Sequence, residues 1–229
     1  MSNKYLDFFE DSYYINLNHR IDRKELFEKR SREVGIIANR FSAIEPREED
    51  CPLLPSSVGE TRRKYKVGCS LSHQGIIKIA KERNLENVLI FEDDCIFLEN
   101  FENEAKKCVD ELKNVEWDIL YFGGEVNNYC VDVSENLVKV ENGGVYCCHA
   151  YAVNKRFYDV ILNVNVHHVD ILDIFFLNYS SDSRTYILSR KLLAIQDSIH
   201  SDIKNGLSQA AEGYMRNSWN KFVPPFINK

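Results

Sequence analysis

The sequence has few of the features that mark secreted or membrane proteins. Its seven cysteines are scattered, without a CxxC pair or the regular spacing of a disulfide scaffold, so we expect reduced thiols. No apolar run approaches the roughly 20 residues of a membrane helix. The acidic start, MSNKYLDFFEDSYY, lacks the basic and apolar regions of a secretory signal. These absences predict a cytoplasmic protein without a membrane span.

Positive charge is also scarce. The chain has 29 Lys and Arg residues against 35 Asp and Glu, and its formal net charge of -6 argues against a nucleic-acid-binding surface. A local exception is TRRKYK, residues 61–66. This cluster is typical of a solvated loop, and a contact with a phosphate-bearing ligand is the alternative.

Internal repeats, low-complexity tracts and Gly/Ser linkers are absent as well, which predicts a single domain over residues 1–229. Apolar runs typical of strands alternate with amphipathic segments typical of helices. This order predicts an α/β fold with a mostly parallel, Rossmann-type sheet flanked by helices on both faces. The predicted strands are residues 12–17, 39–44, 87–92 and 117–124, and the predicted helices are 22–35, 68–84 and 101–114.

The remaining segments are less regular. Residues 45–60 carry three of the five prolines and predict a long loop. The pair Asn142-Gly143 lies between apolar runs and predicts a hairpin within residues 137–153. Beyond it the pattern is mixed, so we expect an irregular α+β C-terminal part.

Three consecutive carboxylates, Glu92, Asp93 and Asp94, interrupt the apolar stretch VLIFEDDCIF. Adjacent anions repel one another, and burying them requires a cation or several hydrogen-bond donors. Open parallel sheets bind ligands beyond the carboxyl ends of their strands. We therefore expect these acids to line one crevice together with the pair Gly123-Gly124, which follows another predicted strand.

Oxygen ligands of this kind favour Mg2+ or Mn2+. Because side chains alternate along a strand, Glu92 and Asp94 should project to one side and Asp93 to the other. The pattern predicts Asp94 as the direct metal ligand, with Glu92 or Asp93 on sugar hydroxyls or bound water. A solvated, Asp-rich turn is the alternative.

Four segments follow one another in the order of a known family: YINLNHRIDRKELFEKR, VGCSLSHQGIIKIAKERNLENVLIFEDDCIF, HAYAVNKRF and HHVDILDIF. Together they resemble glycosyltransferase family 25, which includes bacterial lipooligosaccharide galactosyltransferases, collagen hydroxylysine galactosyltransferases and related viral enzymes. The resemblance implies a GT-A-like fold, a UDP-galactose or UDP-glucose donor, Mn2+ or Mg2+, and inversion at the anomeric carbon. It implies a nucleotide-binding half over about residues 10–125 and an acceptor half over about residues 126–229.

The resemblance also implies residues that surround the donor. Asn16 and Arg20 are expected to hold the nucleotide, and Ser72 and His73 of GCSLSH to reach its phosphates or the sugar. Each has a structural alternative: the segment after the first strand can simply start a helix, and a lone helical histidine is often structural. The predicted donor contacts and metal ligands at the acidic segment are Glu92, Asp93 and Asp94, joined by His200, with Asp197 or Ser201 assisting.

Inversion in one displacement requires a base that takes the proton of the acceptor hydroxyl. In HHVDILD, Asp170 matches the family's VD pair, and Asp173 lies one helical turn further on. We predict Asp170, with Asp173, as the catalytic carboxylates, and helix capping is the alternative. Tyr146, His149 and Tyr151 are compatible with a wall of the acceptor site or with ordinary aromatic packing. Cys69 is interpreted as a small core residue.

The sequence thus predicts a hexosyltransferase that acts on a hydroxyl of a glycan or glycosylated protein and binds no nucleic acid. Its location would be the cytoplasm or, for a viral protein, the host cytoplasm or virion. A non-catalytic module that binds a UDP-sugar and metal is one alternative. A non-haem iron oxygenase using His168, Asp170 and His200 is another, but such sites usually lie in all-β jelly rolls, and this reading leaves the three acids unexplained.

Overall fold

The computed structural model of the chain describes residues 6–47, 49, 51, 60–166, 172–179, 184–197 and 210–227. Six α-helices lie in this part of the chain: α1 (Ile21–Glu33), α2 (Glu60–Glu82), α3 (Phe101–Leu112), α4 (Tyr158–Leu162), α5 (Leu172–Asn178) and α6 (Ala210–Phe222). Its twelve strands are β1 (Ser12–Asn16), β2 (Asn39–Ser42), β3 (Asn87–Glu92), β4 (Cys95–Phe97), β5 (Ile119–Tyr121), β6 (Glu125–Val126), β7 (Cys130–Asp132), β8 (Leu137–Val140), β9 (Val145–Tyr146), β10 (Ala150–Asn154), β11 (Tyr186–Ser189) and β12 (Ala194–Gln196).

Eight strands form one central sheet in the order β2-β1-β3-β10-β5-β11-β8-β7. β1 runs parallel to β2 and β3, and β5 runs parallel to β11. β10 and β8 are antiparallel to their neighbours, so six of the eight strands point in one direction. The predicted α/β fold with a mostly parallel sheet is confirmed. Two short ribbons, β4 with β12 and β6 with β9, lie outside this sheet.

Helices cover both faces of the sheet, which explains why β3 is apolar from Val88 to Phe91. Val88 and Ile90 belong to the buried cluster that includes residues of α2, α5 and α6, whereas Leu89 and Phe91 belong to the cluster with α1 and α3. Side chains alternate along a strand, so a strand covered on both faces needs apolar residues at every position. The same alternation aims Glu92, the next residue, toward the α2 face.

The predicted hairpin around Asn142-Gly143 is wrong. β8 pairs with β7 and β11, whereas β10 lies between β3 and β5, and β9 pairs with β6. The chain therefore crosses from the edge of the sheet to its centre instead of folding back. Local turn residues cannot reveal this path, because it depends on partners that lie far away in the sequence.

Two further expectations change. Residues 61–66 belong to α2, which begins eight residues before its predicted start, so the interpretation of this basic cluster as a loop is wrong. Strands from after residue 126 enter the same sheet as β1 and β3. The division into a nucleotide-binding and an acceptor half stays a prediction.

Candidate functional site

The three acids lie where β3 turns into β4. β3 ends at Glu92 and β4 begins at Cys95, so Asp93 and Asp94 form a tight turn. The Asp93 N–H donates to the carbonyl of Ile15 on β1 at 3.1 Å, which fixes this turn against the carboxyl end of the neighbouring strand. The alternation of side chains ends with β3 at Glu92. It therefore gives no basis for expecting Glu92 and Asp94 to project to the same side.

A cleft of about 160 Å3 opens beside this turn. Its walls combine four carboxylates and three guanidinium groups with one apolar side chain, Leu26. Carboxylates suit a hard divalent cation, and guanidinium groups suit phosphate oxygens. The charged lining residues are Arg20, Asp22, Arg23, Arg30, Asp93, Asp94 and Asp197.

Asp93 is held from two sides. The amide of Asn16 donates to its Oδ2 at 2.7 Å, and Arg23 Nη1 donates to its Oδ1 at 3.0 Å. Asn16 is itself buried, and its Oδ1 accepts from Arg40 Nε at 2.9 Å. Burial raises the pKa of Asp93 above its usual value, although the charge of Arg23 and the hydrogen bonds act in the opposite direction. The position and orientation of this carboxylate are therefore fixed before any ligand binds.

Asp94 is in a different situation. Its side chain is only 6% exposed, and its Oδ1 has no hydrogen-bond partner among the residues that the structure describes. Burial raises the pKa of Asp94 well above its usual value, and the nearby charges of Glu92, Asp93 and Asp197 add to this effect. A buried carboxylate oxygen without a donor is costly, and a cation in the cleft would compensate for it. The donor set at this turn therefore fits a hard divalent metal.

The arginines of the cleft are ordered by neighbouring acids. Arg20 makes a two-pronged contact with Asp22, with distances of 3.0 and 2.9 Å, and this lowers the pKa of Asp22 to about 2. Arg30 Nη2 donates to Asp197 Oδ2 at 3.1 Å, while its Nη1 is buried without a partner in the described part of the chain. Arg20 directly precedes α1, so the positive end of that helix also faces the cleft.

Glu92 belongs to a separate network on the α2 face of the sheet. Its Oε1 lies 3.2 Å from Nε2 of His73, and its Oε2 accepts from Gln196 Nε2 at 3.2 Å. The other ring nitrogen of His73 lies 2.9 Å from the Tyr151 hydroxyl. Burial acts to raise the pKa of Glu92, but the hydrogen bond and charge of His73 outweigh it, and the pKa lies below its usual value. Among the described residues, the lining of the cleft includes Asp93 and Asp94 but not Glu92.

The glycine pair lies behind this network and does not line the cleft. A Cβ at Gly123 would come within 1.9 Å of the Ala194 carbonyl oxygen and 2.9 Å of His149 Nε2. His149 is buried, its carbonyl accepts from the Glu92 N–H at 3.0 Å, and burial lowers the pKa of its ring. Gly123 is therefore explained by close packing. Among the described residues, the lining of the cleft at Asp93 and Asp94 does not include the glycine pair, and β10 lies between β3 and β5.

Ser72 is fully buried away from the cleft. Its hydroxyl donates to the carbonyl of Gly68 at 2.6 Å and accepts from the N–H of Ile44 at 2.8 Å. These bonds attach the segment after β2 to α2. The predicted contact of Ser72 with the donor has no geometric support in this arrangement.

Asp173 lies in the first turn of α5 and is half-buried. Its Oδ2 accepts from the Cys147 N–H at 3.1 Å, and its Oδ1 accepts from the Ile174 N–H at 2.8 Å. Burial raises the pKa of Asp173, the charge of Glu92 raises it further, and the charge of His73 lowers it. The carboxylate is thus close enough to the Glu92 network to interact with it electrostatically.

Residues 9–191 match the family model described as "Glycosyltransferase family 25 (LPS biosynthesis protein)". The chain belongs to glycosyltransferase family 25. The match covers the turn with the three acids, the GCSLSH segment of α2 and the strands that position both.

Individual members of family 25 are similar over about half of the chain. A "Glycosyltransferase 25 family member" of Drosophila melanogaster is 29% identical over 143 residues, which cover 55% of this chain and 23% of that protein. "Procollagen galactosyltransferase 1-A" of Xenopus laevis is 30% identical over 129 residues, or 50% and 21% of the two chains. "Inactive glycosyltransferase 25 family member 3" of Homo sapiens is 31% identical over 129 residues, or 50% and 22%. The matched part of the chain thus spans less than a quarter of these longer relatives.

Two solved structures are similar at a lower level. "A197 from STIV" has a TM-score of 0.47 at 10% identity and covers 87% of this chain and 90% of its own. "A glycosyltransferase involved in the glycosylation of the major capsid of PBCV-1" has a TM-score of 0.43 at 10% identity, with 78% and 80% covered.

Four residues that the sequence suggested for a functional site lie outside the described residues: His168, Asp170, His200 and Ser201. Neither the predicted base Asp170 nor the iron-oxygenase alternative is therefore placed by the structure. Tyr146 is half-buried in β9, whereas His149 and Tyr151 are fully buried, and the Tyr151 hydroxyl contacts His73. The last two do not form a solvent-facing acceptor wall.

Sequence reasoning missed Arg30 and Gln196. It placed Arg23 in a segment that either helps to hold the nucleotide, by the resemblance, or simply starts a helix. Arg23 and Arg30 lie seven residues apart, or about two helical turns, which places them on one side of α1. That spacing could have indicated from the sequence that the two arginines act at one site. The contact of Gln196 with Glu92 has no local signature.

None of the helices in the described part of the chain has the length and apolar character that a bilayer crossing requires.

Proposed function

We propose that the chain transfers a hexose, galactose or glucose, from a UDP donor to a hydroxyl of a glycan or glycosylated protein, with inversion and with Mn2+ or Mg2+ as cofactor. The observation that carries this proposal is the buried Oδ1 of Asp94, which has no hydrogen-bond partner among the described residues and belongs to a cleft that three arginines also line. A cation site next to guanidinium groups is the arrangement that a metal-bound diphosphate requires.

In this proposal Asp94 holds the divalent cation, with Asp93 beside it. Asn16 and Arg23 keep the Asp93 carboxylate in place, so its orientation requires no rearrangement when the donor binds. A divalent cation held there would supply positive charge to stabilise the leaving diphosphate. Arg20 and Arg30 bind phosphate oxygens from the other side of the cleft.

The relatives support two readings of this site. The name "Procollagen galactosyltransferase 1-A" favours galactose as the sugar and a protein-linked acceptor. Relatives from human and cattle that are named inactive or probably inactive each match 50% of the chain, at 31% and 30% identity. A non-catalytic module that binds a UDP-sugar and metal is therefore the second candidate.

The test is mass-spectrometric detection of UDP released from a panel of nucleotide sugars, with Mn2+ and with EDTA, in the presence and absence of simple hexose acceptors. We expect metal-dependent release from one UDP-hexose. Metal-dependent binding of UDP without release from any donor would favour the non-catalytic module. If the protein neither binds UDP nor releases it with Mn2+ present, the proposal is wrong.

Asp173 is the described candidate for the base, and Asp173→Asn should lower transfer about 100-fold while UDP binding stays unchanged. Asparagine keeps an oxygen that can accept from the Cys147 N–H, so the start of α5 should remain intact. Transfer rates and UDP affinity by calorimetry check this expectation. Asp159→Asn, on the exposed part of α4, makes the same chemical change away from the site and is the control.

Transfer by Asp173→Asn at the rate of the Asp159→Asn control would remove Asp173 as the base. The role would then fall to Asp170, which stays a prediction.

A further inference from the structure

A second cluster of potential metal ligands lies on the opposite side of Glu92 from the cleft. Cys69 and His73 are four residues apart on α2, and Glu92 ends β3 next to them. One ligand atom from each of these three residues lies within 4.8 Å of the other two. Residues four apart on a helix share one face, so the two α2 side chains approach the carboxylate together.

The spacing of these atoms is close to that of a tetrahedral site. Nε2 of His73 and Oε1 of Glu92 are 3.2 Å apart, and two such ligands of one zinc ion are separated by about 3.4 Å. A sulfur and a nitrogen ligand of the same ion would be separated by about 3.6 Å. The three ligand atoms of this cluster lie within 4.8 Å of one another before any ion is bound. Three protein ligands leave the fourth position open.

The orientation of His73 supports the same conclusion. Its Nδ1 lies 2.9 Å from the Tyr151 hydroxyl, which directs Nε2 toward Glu92. Histidines that bind metals commonly have their other ring nitrogen held by such a partner. His73 and Tyr151 are fully buried, whereas Cys69 and Glu92 are half-buried and provide access from solvent.

We propose that Cys69, His73 and Glu92 form a binding site for a thiophilic divalent cation such as Zn2+. The ligand set of sulfur, nitrogen and oxygen distinguishes this site from the oxygen-only turn at Asp94, which suits harder ions. Binding forms bonds from the metal to the Cys69 sulfur, the His73 Nε2 and a Glu92 carboxylate oxygen and releases the thiol proton of Cys69 to solvent. The neutral His73 ring keeps its single proton on Nδ1, which donates to the Tyr151 hydroxyl. The proposal does not depend on transferase activity.

Titration of the purified, metal-free protein with Co2+ tests this site. Thiolate coordination to Co2+ produces a near-ultraviolet charge-transfer band, and a tetrahedral site adds intense visible bands; oxygen ligands alone produce neither. We expect both signals to saturate at one Co2+ per chain and to disappear when Zn2+ is added. Absence of the charge-transfer band in the wild-type protein would overturn the proposal.

Variants assign the signal to these residues. Cys69→Ser, a change of one atom, should abolish the charge-transfer band, whereas Cys51→Ser removes another half-buried thiol and should leave it unchanged. Tyr151→Phe should weaken Co2+ binding about 10-fold or more through the loss of the contact with His73. A band that persists in Cys69→Ser would also overturn the proposal.

Asp94→Asn separates this site from the proposed transferase site. The variant should keep the Co2+–thiolate band, because Asp94 is not one of the three ligands. Loss of the band in Asp94→Asn would mean that Co2+ occupies a single site shared with the cleft, and the proposal of a distinct site would be wrong.

Discussion

Replacing Asp94 with asparagine should lower sugar transfer by about 1000-fold in the presence of metal. The amide preserves the shape of the side chain but removes the negative charge that the cation would need. The fold should not suffer, since Asp94 is buried near Glu92, Asp93 and Asp197, whose charges raise its pKa. The rate of UDP release at saturating Mn2+ measures the loss.

Two measurements make this result specific. The melting temperature of metal-free Asp94→Asn should equal or exceed that of the wild-type protein, because a repelled buried charge has been removed. Asp110→Asn makes the same chemical change on the exposed face of α3, where Asp110 pairs with Lys113, and should transfer normally. A folded Asp94→Asn that transfers sugar at the rate of Asp110→Asn with metal present would refute the assignment of Asp94.

The central strands of the fold were predictable because their partners impose a pattern on the sequence. β3 is apolar from Val88 to Phe91 because both faces of the sheet are covered, and a cluster of acids at the end of such an apolar run indicates a ligand site. The same alternation placed Glu92 on the side of Ile90. It did not extend to Asp93 and Asp94, because β3 ends at Glu92 and the next two residues form a turn.

The position of β10 could not be predicted in the same way. Its residues pair with β3 and β5, about 60 and 30 positions away along the sequence, and no local signal specifies those partners. The Asn142-Gly143 pair carried the strongest local turn signal and pointed to a hairpin that does not form. Distant pairing in the sheet outweighed the local preference.

The contacts in the cleft could be predicted from the sequence only in part. Asn16 ends β1 and Asp93 directly follows β3, and parallel neighbours bring such strand ends together. The approach of these two side chains could therefore be expected in part, although no local sequence pattern shows that β1 and β3 are neighbours in the sheet. The contact of Arg23 with Asp93 also depends on the angle at which α1 leaves the sheet, which the sequence pattern does not determine.

The ion pair between Arg23 and Asp93 should contribute strongly to stability, and Arg23→Gln should lower the free energy of unfolding by about 3–5 kcal/mol at neutral pH. Both side chains are largely buried, with 12% and 8% of their surface exposed. The variant leaves the Asp93 carboxylate buried without its cation, with Asn16 as a remaining donor. Chemical denaturation followed by circular dichroism measures the loss.

The exposed pair of Lys113 with Asp110 is the matched control, and Lys113→Gln should leave the free energy of unfolding nearly unchanged. The double variant Arg23→Gln, Asp93→Asn should recover much of the lost stability, because it removes the unpaired charge together with its partner. Equal losses in the single and double variants would show that Arg23 acts through packing alone.

The pH dependence provides an independent check of the same cause. Burial already raises the pKa of Asp93 in the native protein, and removing Arg23 should raise it further. Protonation then relieves the buried charge, so the folded variant gains stability relative to the wild-type protein as the pH falls through this raised pKa. The stability difference between the two proteins should therefore shrink on acidification. A difference that stays constant with pH would mean that the charge of Asp93 is not what destabilises Arg23→Gln.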